Sequence, residues 1–205
     1  ASGRPLALTW LQRDPGGEQY QQVARRVEAA VARGLPMYLQ AGETLTVEDL
    51  LYGLLLVSAN DAAVTIALDI AGGEDAFVAL MNRRASELGL TQTHFMNAHG
   101  LDAPGHYASA RDLYPLTVSA LRYPVFARIV ATVNHNAGGY ALTNINELLT
   151  LDAHADGVKT GTTDEAGECL IGSVNQDGHR TIVVILGSTQ RYADAHDLLA
   201  HYRSC

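Results

Sequence analysis

Asp156-Gly157-Val158-Lys159-Thr160-Gly161-Thr162-Thr163 is the stretch on which the reading of this sequence turns. Lys159 is the only lysine among 205 residues, and it sits in a glycine-flanked turn ahead of a β-like run over residues 168–174. A lysine ammonium and threonine hydroxyls at the start of an edge strand can hold a carboxylate and an acyl group beside a nucleophilic serine. A solvated turn lysine fits the same tripeptide, so partners elsewhere in the chain must decide between them.

Composition narrows the classes. A hydrophobic content of 47% supports a packed core, and a charged content of 18% with 19 glycines suits neither a disordered chain nor a coiled coil. The formal net charge of -8 argues against a nucleic-acid surface. The longest apolar run, residues 50–57, is too short to span a bilayer, and no membrane anchor is visible. Two cysteines, Cys169 in an apolar strand and Cys205 at the end, do not make a disulfide framework; Cys169 is expected to pack as a small hydrophobe.

Working outward from Lys159, residues 168–174 and 181–186 predict a hairpin across a tight Asn175-Gln176-Asp177-Gly178 link. A terminal helix over about 192–202 follows, packing Leu198 and Leu199. Upstream, residues 5–11 are apolar and read as a strand or a buried helix, and residues 18–33 have helical periodicity. Thr46 with Glu48 and Asp49 marks a helix start. The helix that follows, to about Val57, carries leucine on nearly every side and is expected to be fully buried. Ser58-Ala59-Asn60 interrupts it, and helices over 61–70, 74–88, 110–121 and 124–132 follow, with irregular chain over 91–110. The fold class is therefore α+β: a helical lobe plus a C-terminal antiparallel sheet flanked by a terminal helix. We read one domain, residues 1–205, with about 37–150 mainly helical and about 151–205 forming the sheet and terminal helix.

Ser58 and Asn60, one residue apart at a helix break, can both face a cleft, Ser58 relaying a proton and Asn60 donating to a substrate carbonyl. Either can instead simply cap the next helix. Ser-x-Asn followed by Lys-Thr-Gly about 100 residues later, in a helical lobe and then a sheet, resembles the penicillin-recognising serine enzymes, and among them the serine D-Ala-D-Ala carboxypeptidases. The text around the motifs resembles them more specifically: Ser58-Ala59-Asn60-Asp61-Ala62-Ala63, His99-Gly100-Leu101-Asp102, Ala110-Arg111-Asp112-Leu113 and Asn144-Ile145-Asn146. The likeness covers about residues 20–203.

The resemblance implies a β-lactamase/transpeptidase-like fold whose N-terminal strands are missing here. It implies an acyl-enzyme: a serine attacks the D-Ala-D-Ala bond, a lysine one helical turn later is the base, and water releases the acyl group. Ser58, Asn60 and Lys159 would be catalytic. Lys159 would hold the terminal carboxylate, with Thr160, Gly161 and Thr162 binding substrate and a backbone N–H after the triplet supplying half of an oxyanion hole. The partners implied are a peptidoglycan stem peptide ending in D-Ala-D-Ala and β-lactams as covalent inhibitors, outside the cytoplasmic membrane. No cofactor or metal is implied. A β-lactamase shares the motifs, but no acidic deacylation motif stands out between Ser58 and Lys159.

The sequence departs from this pattern at the first motif, Ser-x-x-Lys. Ser2 precedes Ser58 by 56 residues, about the family's separation, and is the candidate nucleophile, but Pro5 stands where the lysine belongs. Arg4 cannot serve as the base, because a guanidinium stays protonated. Either the chain is a truncated or altered carboxypeptidase, or it is a homologue that binds D-Ala-D-Ala peptides without acylation. Of the eight histidines, His94 and His99, like His196 and His201, are five apart, which is not metal-binding helical spacing. Arg111 and Asp112 suggest a helix-start ion pair, and Asn144 and Asn146 read equally as cleft residues or as turn formers.

Overall fold

A computed structural model describes residues 5–7, 37–40 and 43–203. The predicted helix over 18–33 and the candidate nucleophile Ser2 lie outside the described residues. The described chain separates into two compact units. One holds the described residues up to Met81 together with Asn97–His99 and Asn134–Thr143; the other holds the rest.

In the first unit, β1 (Pro5–Ala7) pairs antiparallel with β2 (Thr44–Thr46), so the start of the apolar run 5–11 is a strand. Helix α1 (Val47–Leu56) begins as the sequence predicts: the Thr46 hydroxyl accepts from the Asp49 N–H at 3.0 Å, and the Asp49 carboxylate accepts from the Thr46 N–H at 3.0 Å. The expectation that α1 is buried all round is not met. Leu50, Tyr52, Gly53 and Leu56 form a buried stripe, whereas Glu48 is exposed and Leu51, Leu54 and Leu55 are only partly covered. Helix α2 (Asn60–Ala71) is the more enclosed element, with every residue from Asn60 to Ala67 buried. It ends on Gly72 at φ 73°, a left-handed cap that returns its N–H to Leu68 O. Helix α3 (Glu74–Glu87) follows; its Glu74 carboxylate accepts from the Ala98 N–H at 3.1 Å and lies 3.6 Å from His99 Nε2.

The remaining helices of the middle, α4 (Ala110–Leu121) and α5 (Pro124–Val130), belong to the second unit. Next along the sequence is a hairpin of the first unit, β3 (Asn134–Ala137) and β4 (Tyr140–Thr143). Its polar first strand, Asn-His-Asn-Ala, carries no strand signal in the sequence; there His135 stacks on buried Tyr52 with ring centroids 3.5 Å apart.

After a single turn, α6 (Leu148–Leu151), the second unit is completed by a three-stranded antiparallel sheet and a helix. The strands are β5 (Ala155–Thr163), β6 (Gly167–Gln176) and β7 (His179–Ser188), in that order across the sheet. The β6–β7 hairpin forms as predicted, across Asp177 and Gly178, both at positive φ (54° and 83°), a pair of values that matches the right-handed twist of the strands it joins. Helix α7 (Arg191–Arg203) covers the sheet through Ala195 and Leu199, which share a core with Leu148, Leu170, Val174 and Ile185. Leu198, expected to pack beside Leu199, is instead 50% exposed, since adjacent helical residues point about 100° apart. This α+β architecture, a helical middle and then an antiparallel sheet with a terminal helix, is the predicted class.

Candidate active site

The octapeptide around Lys159 is a strand, not a turn. All eight of its residues lie in β5, paired with β6 from Gly157↔Ser173 to Thr163↔Gly167, and β5 forms one edge of the sheet. The glycines that suggested a turn serve the strand. Gly157 sits at φ 148°, and a Cβ there would lie 3.0 Å from Val130 Cγ2, so the chain passes close under α5 only without a side chain. Alternation along β5 puts Lys159, Gly161 and Thr163 on one face with Ile171 and Cys169 opposite, and Thr160 and Thr162 on the other with Leu170 and Glu168. Side chains of both faces thus flank a strand edge that is unpaired among the described residues.

Lys159 is half-buried, and its Nζ donates to Thr160 O at 2.7 Å. Burial of the ammonium, with the Arg191 guanidinium adding repulsion, lowers its pKa from 10.5 to about 8. Thr160 is buried and Gly161 and Thr162 are exposed. Thr162 is held by a residue for which the sequence carries no motif. Arg191, at the start of α7, donates to Thr162 Oγ1 at 2.5 Å, to Gly161 O at 2.8 Å and to Cys169 O at 3.0 Å, while its Nε lies 3.3 Å from Glu168 Oε2. One guanidinium therefore ties the ends of β5 and β6 to α7, using the fork of donors that a lysine lacks.

Ser58 and Asn60 occupy the α1–α2 junction of the first unit, whereas Lys159, Thr160, Gly161 and Thr162 lie in the second. The capping alternative for Ser58 and Asn60 is not what the chain adopts. Ala59 holds the cap position of α2 with no side-chain bond, and Asn60 is already the first helical residue, 5% exposed. Ser58 sits at φ 59°, a left-handed conformation costing on the order of 1–3 kcal/mol for a residue with a Cβ. The junction is fixed by Val57 N–H and Ala59 N–H, both donating to Gly53 O, and by Asp61, whose role no local motif announces. Asp61 is fully buried, and its carboxylate accepts from the N–H groups of Met37 at 3.0 Å, Leu39 at 3.2 Å and Ala62 at 2.9 Å. Its position in the first turn of α2 also suits a negative charge.

A family profile described as D-alanyl-D-alanine carboxypeptidase matches residues 19–190. The chain belongs to that family. Among carboxypeptidases of this family, DacF of Bacillus subtilis is 37% identical over 166 residues, covering 78% of this chain and 43% of that protein. DacA of Escherichia coli is 40% identical over 157 residues, covering 74% of this chain and 38% of that protein. The matched part thus takes in less than half the length of either relative. Among solved structures, the DD-transpeptidase of a Streptomyces strain superposes with a TM-score of 0.81 at 29% identity, covering 90% of this chain and 77% of that one. DacD of Francisella tularensis gives 0.79 at 30%, covering 84% and 55%. Ser2 falls before the part matched by the carboxypeptidase profile.

Other expectations resolve locally. Asp112 does not pair with its neighbour: its carboxylate accepts from the Gln92 N–H at 2.6 Å and Thr93 Oγ1 at 2.9 Å, and Arg111 is exposed. Asn144 and Asn146 form turns, Asn144 Oδ1 accepting from the Asn146 N–H and Asn146 Oδ1 from the Leu148 N–H. Cys169 is only half-buried, its Sγ 3.6 Å from Ala166 O. Among the described residues no group of three or more His, Cys, Asp or Glu side chains is placed to hold a metal ion, and no helix is long and apolar enough to cross a membrane.

Proposed function

We propose that this chain carries a serine-type D-Ala-D-Ala carboxypeptidase activity toward peptidoglycan stem peptides, outside the cytoplasmic membrane. In the proposed reaction a serine hydroxyl attacks the carbonyl of the penultimate D-Ala and the terminal D-Ala leaves as the amine. Water then hydrolyses the ester and regenerates the serine. Protonated Lys159 holds the terminal carboxylate. Thr160, Gly161 and Thr162 bind the substrate along the β5 edge, and a backbone N–H after the triplet receives charge from the carbonyl oxygen. Ser58 relays a proton and Asn60 orients the acyl group. Ser2 is the nucleophile this chain offers. The observation that carries the reading is the carboxypeptidase family match across residues 19–190, which includes both the Ser58-Ala59-Asn60 junction and the β5 edge with its half-buried lysine.

The test combines release of D-Ala from an N-acylated D-Ala-D-Ala peptide with covalent labelling by a fluorescent penicillin. The enzyme reading expects both, with labelling abolished in Ser2→Ala and release reduced on the order of 100-fold in Lys159→Ala, as for loss of one charged contact to the substrate carboxylate. Peptide binding without label or release would show a homologue that binds D-Ala-D-Ala ends without acylation. Label that persists in Ser2→Ala would move the nucleophile elsewhere.

A further inference from the structure

Asp102 ends the His99-Gly100-Leu101-Asp102 stretch and is exposed to solvent, yet both oxygens of its carboxylate are occupied. Oδ1 accepts from Thr163 Oγ1 at 2.6 Å, and Oδ2 accepts from the Glu165 N–H at 3.2 Å. Thr163 Oγ1 accepts in turn from the Ala166 N–H at 3.0 Å. One carboxylate thus clamps the β5–β6 turn from outside while the Thr163 hydroxyl closes it from within. An exposed aspartate is fully satisfied by water, so two bonds to residues 61 and 63 positions away order the turn without rescuing a buried charge. At 2.6 Å the bond lies at the short end of the range for a hydroxyl donor.

The clamped residue is the last of β5, and it lies on the Lys159 face by alternation. The same end of the strand is held by Arg191, through the Thr162 hydroxyl on the other face and through the backbone carbonyl of Gly161. Beyond the turn, Gly167 at φ 65° packs so closely on β7 that a Cβ would stand 3.3 Å from Ser188 O. The turn is therefore fixed at its far end by packing, and at its near end by Asp102.

We propose that Asp102 is a positioning residue for the β5 edge. Through Thr163 it fixes the backbone that follows the Lys159-Thr160-Gly161 triplet, where the acyl oxygen is to be received. The proposal rests on the carboxypeptidase reading above. Asp102 itself acts at one remove, so its loss disturbs the charge-developing step more than ground-state binding of the carboxylate by Lys159.

The experiment uses the full-length protein and its Asp102→Ala and Asp102→Asn variants. Three quantities are followed: the rate of acylation by a fluorescent penicillin, kcat and KM for an N-acylated D-Ala-D-Ala peptide, and hydrogen exchange at the Glu165 and Ala166 amides. Asp102→Ala is expected to lower acylation rate and kcat about 10-fold or more, with KM changed by less than about 3-fold and exchange at Glu165 accelerated. Asn keeps an acceptor for the Glu165 N–H and should fall between, and it serves if the alanine variant does not fold. Unchanged acylation and kcat in both variants, despite faster exchange, would overturn the positioning role and leave Asp102 a local turn clamp. If the parent protein neither acylates nor releases D-Ala, the carboxypeptidase reading fails and the positioning role falls with it. The exchange data then still report whether the clamp exists, which keeps the two failures distinct.

Discussion

Lys159 is asked to be charged in a place that disfavours charge. Burial, and secondarily Arg191, lower its pKa to about 8, so the folded protein binds this proton less tightly than the unfolded chain does. The stability contributed by the neutral amine is fully present above the unperturbed value of 10.5 and is lost as pH falls through about 8. A bound carboxylate acts in the opposite sense, because it favours the ammonium. Affinity for a D-Ala-D-Ala peptide should therefore be constant below about pH 8 and weaken up to about tenfold per unit above it. In Lys159→Arg the guanidinium keeps its proton and the break should vanish. Titration calorimetry from pH 6.5 to 9.5 measures this, and a flat profile in the parent would remove Lys159 from carboxylate binding. The residue-level signals legible in the sequence were those written in short local motifs, such as the Thr46–Asp49 capping box. Ser58 at positive φ was not legible, since nothing in Ser-Ala-Asn specifies a left-handed backbone; that conformation follows from how α1 stops and α2 begins.

At the level of elements, β5 shows why the sequence misled. Its glycines and threonines have the composition of a turn, and a nine-residue strand emerges because β6 supplies partners along its length and α5 demands a residue without a side chain at Gly157. The end of β5 remote from Asp102 is braced by three strands at once. Ser173, fully buried on β6, donates to Asp156 Oδ1 at 2.6 Å and accepts from Arg180 Nη1 at 3.0 Å, while Arg180 Nη2 lies 2.7 Å from Asp156 Oδ2. Ser173→Ala deletes both hydroxyl bonds and leaves the ion pair poorly completed, at a cost of about 1–3 kcal/mol. Urea denaturation should show a lower midpoint with unchanged slope, and no loss would mean that the Asp156–Arg180 pair suffices by itself. By contrast β6, β7 and α7 were legible to within about three residues of their ends, because short β-branched apolar runs joined by an Asp-Gly turn leave few alternatives. The polar strand β3 and the exposed Leu198 were not, since each depends on which neighbour the element meets.

For the molecule as a whole, the order of elements gave the α+β class, and the family followed from phrases of sequence spread over both compact units. What the order of elements could not supply is the set of long-range ties. Arg191 to Gly161 spans 30 residues, and Asp61 to Met37 spans 24; neither partner announces the other. A composition with one lysine adds a practical property to the environment of Lys159. Within residues 1–205 no other ε-amine competes for acylating reagents, and this one loses its proton near pH 8 rather than 10.5. In a polypeptide of these 205 residues an activated ester at pH 8 should thus acylate one ε-amine, alongside the α-amino group. Mass spectrometry would locate the adduct, and a D-Ala-D-Ala peptide should slow its formation at Lys159 alone. The protein carries its own site-specific chemical handle, placed where occupancy is to be read.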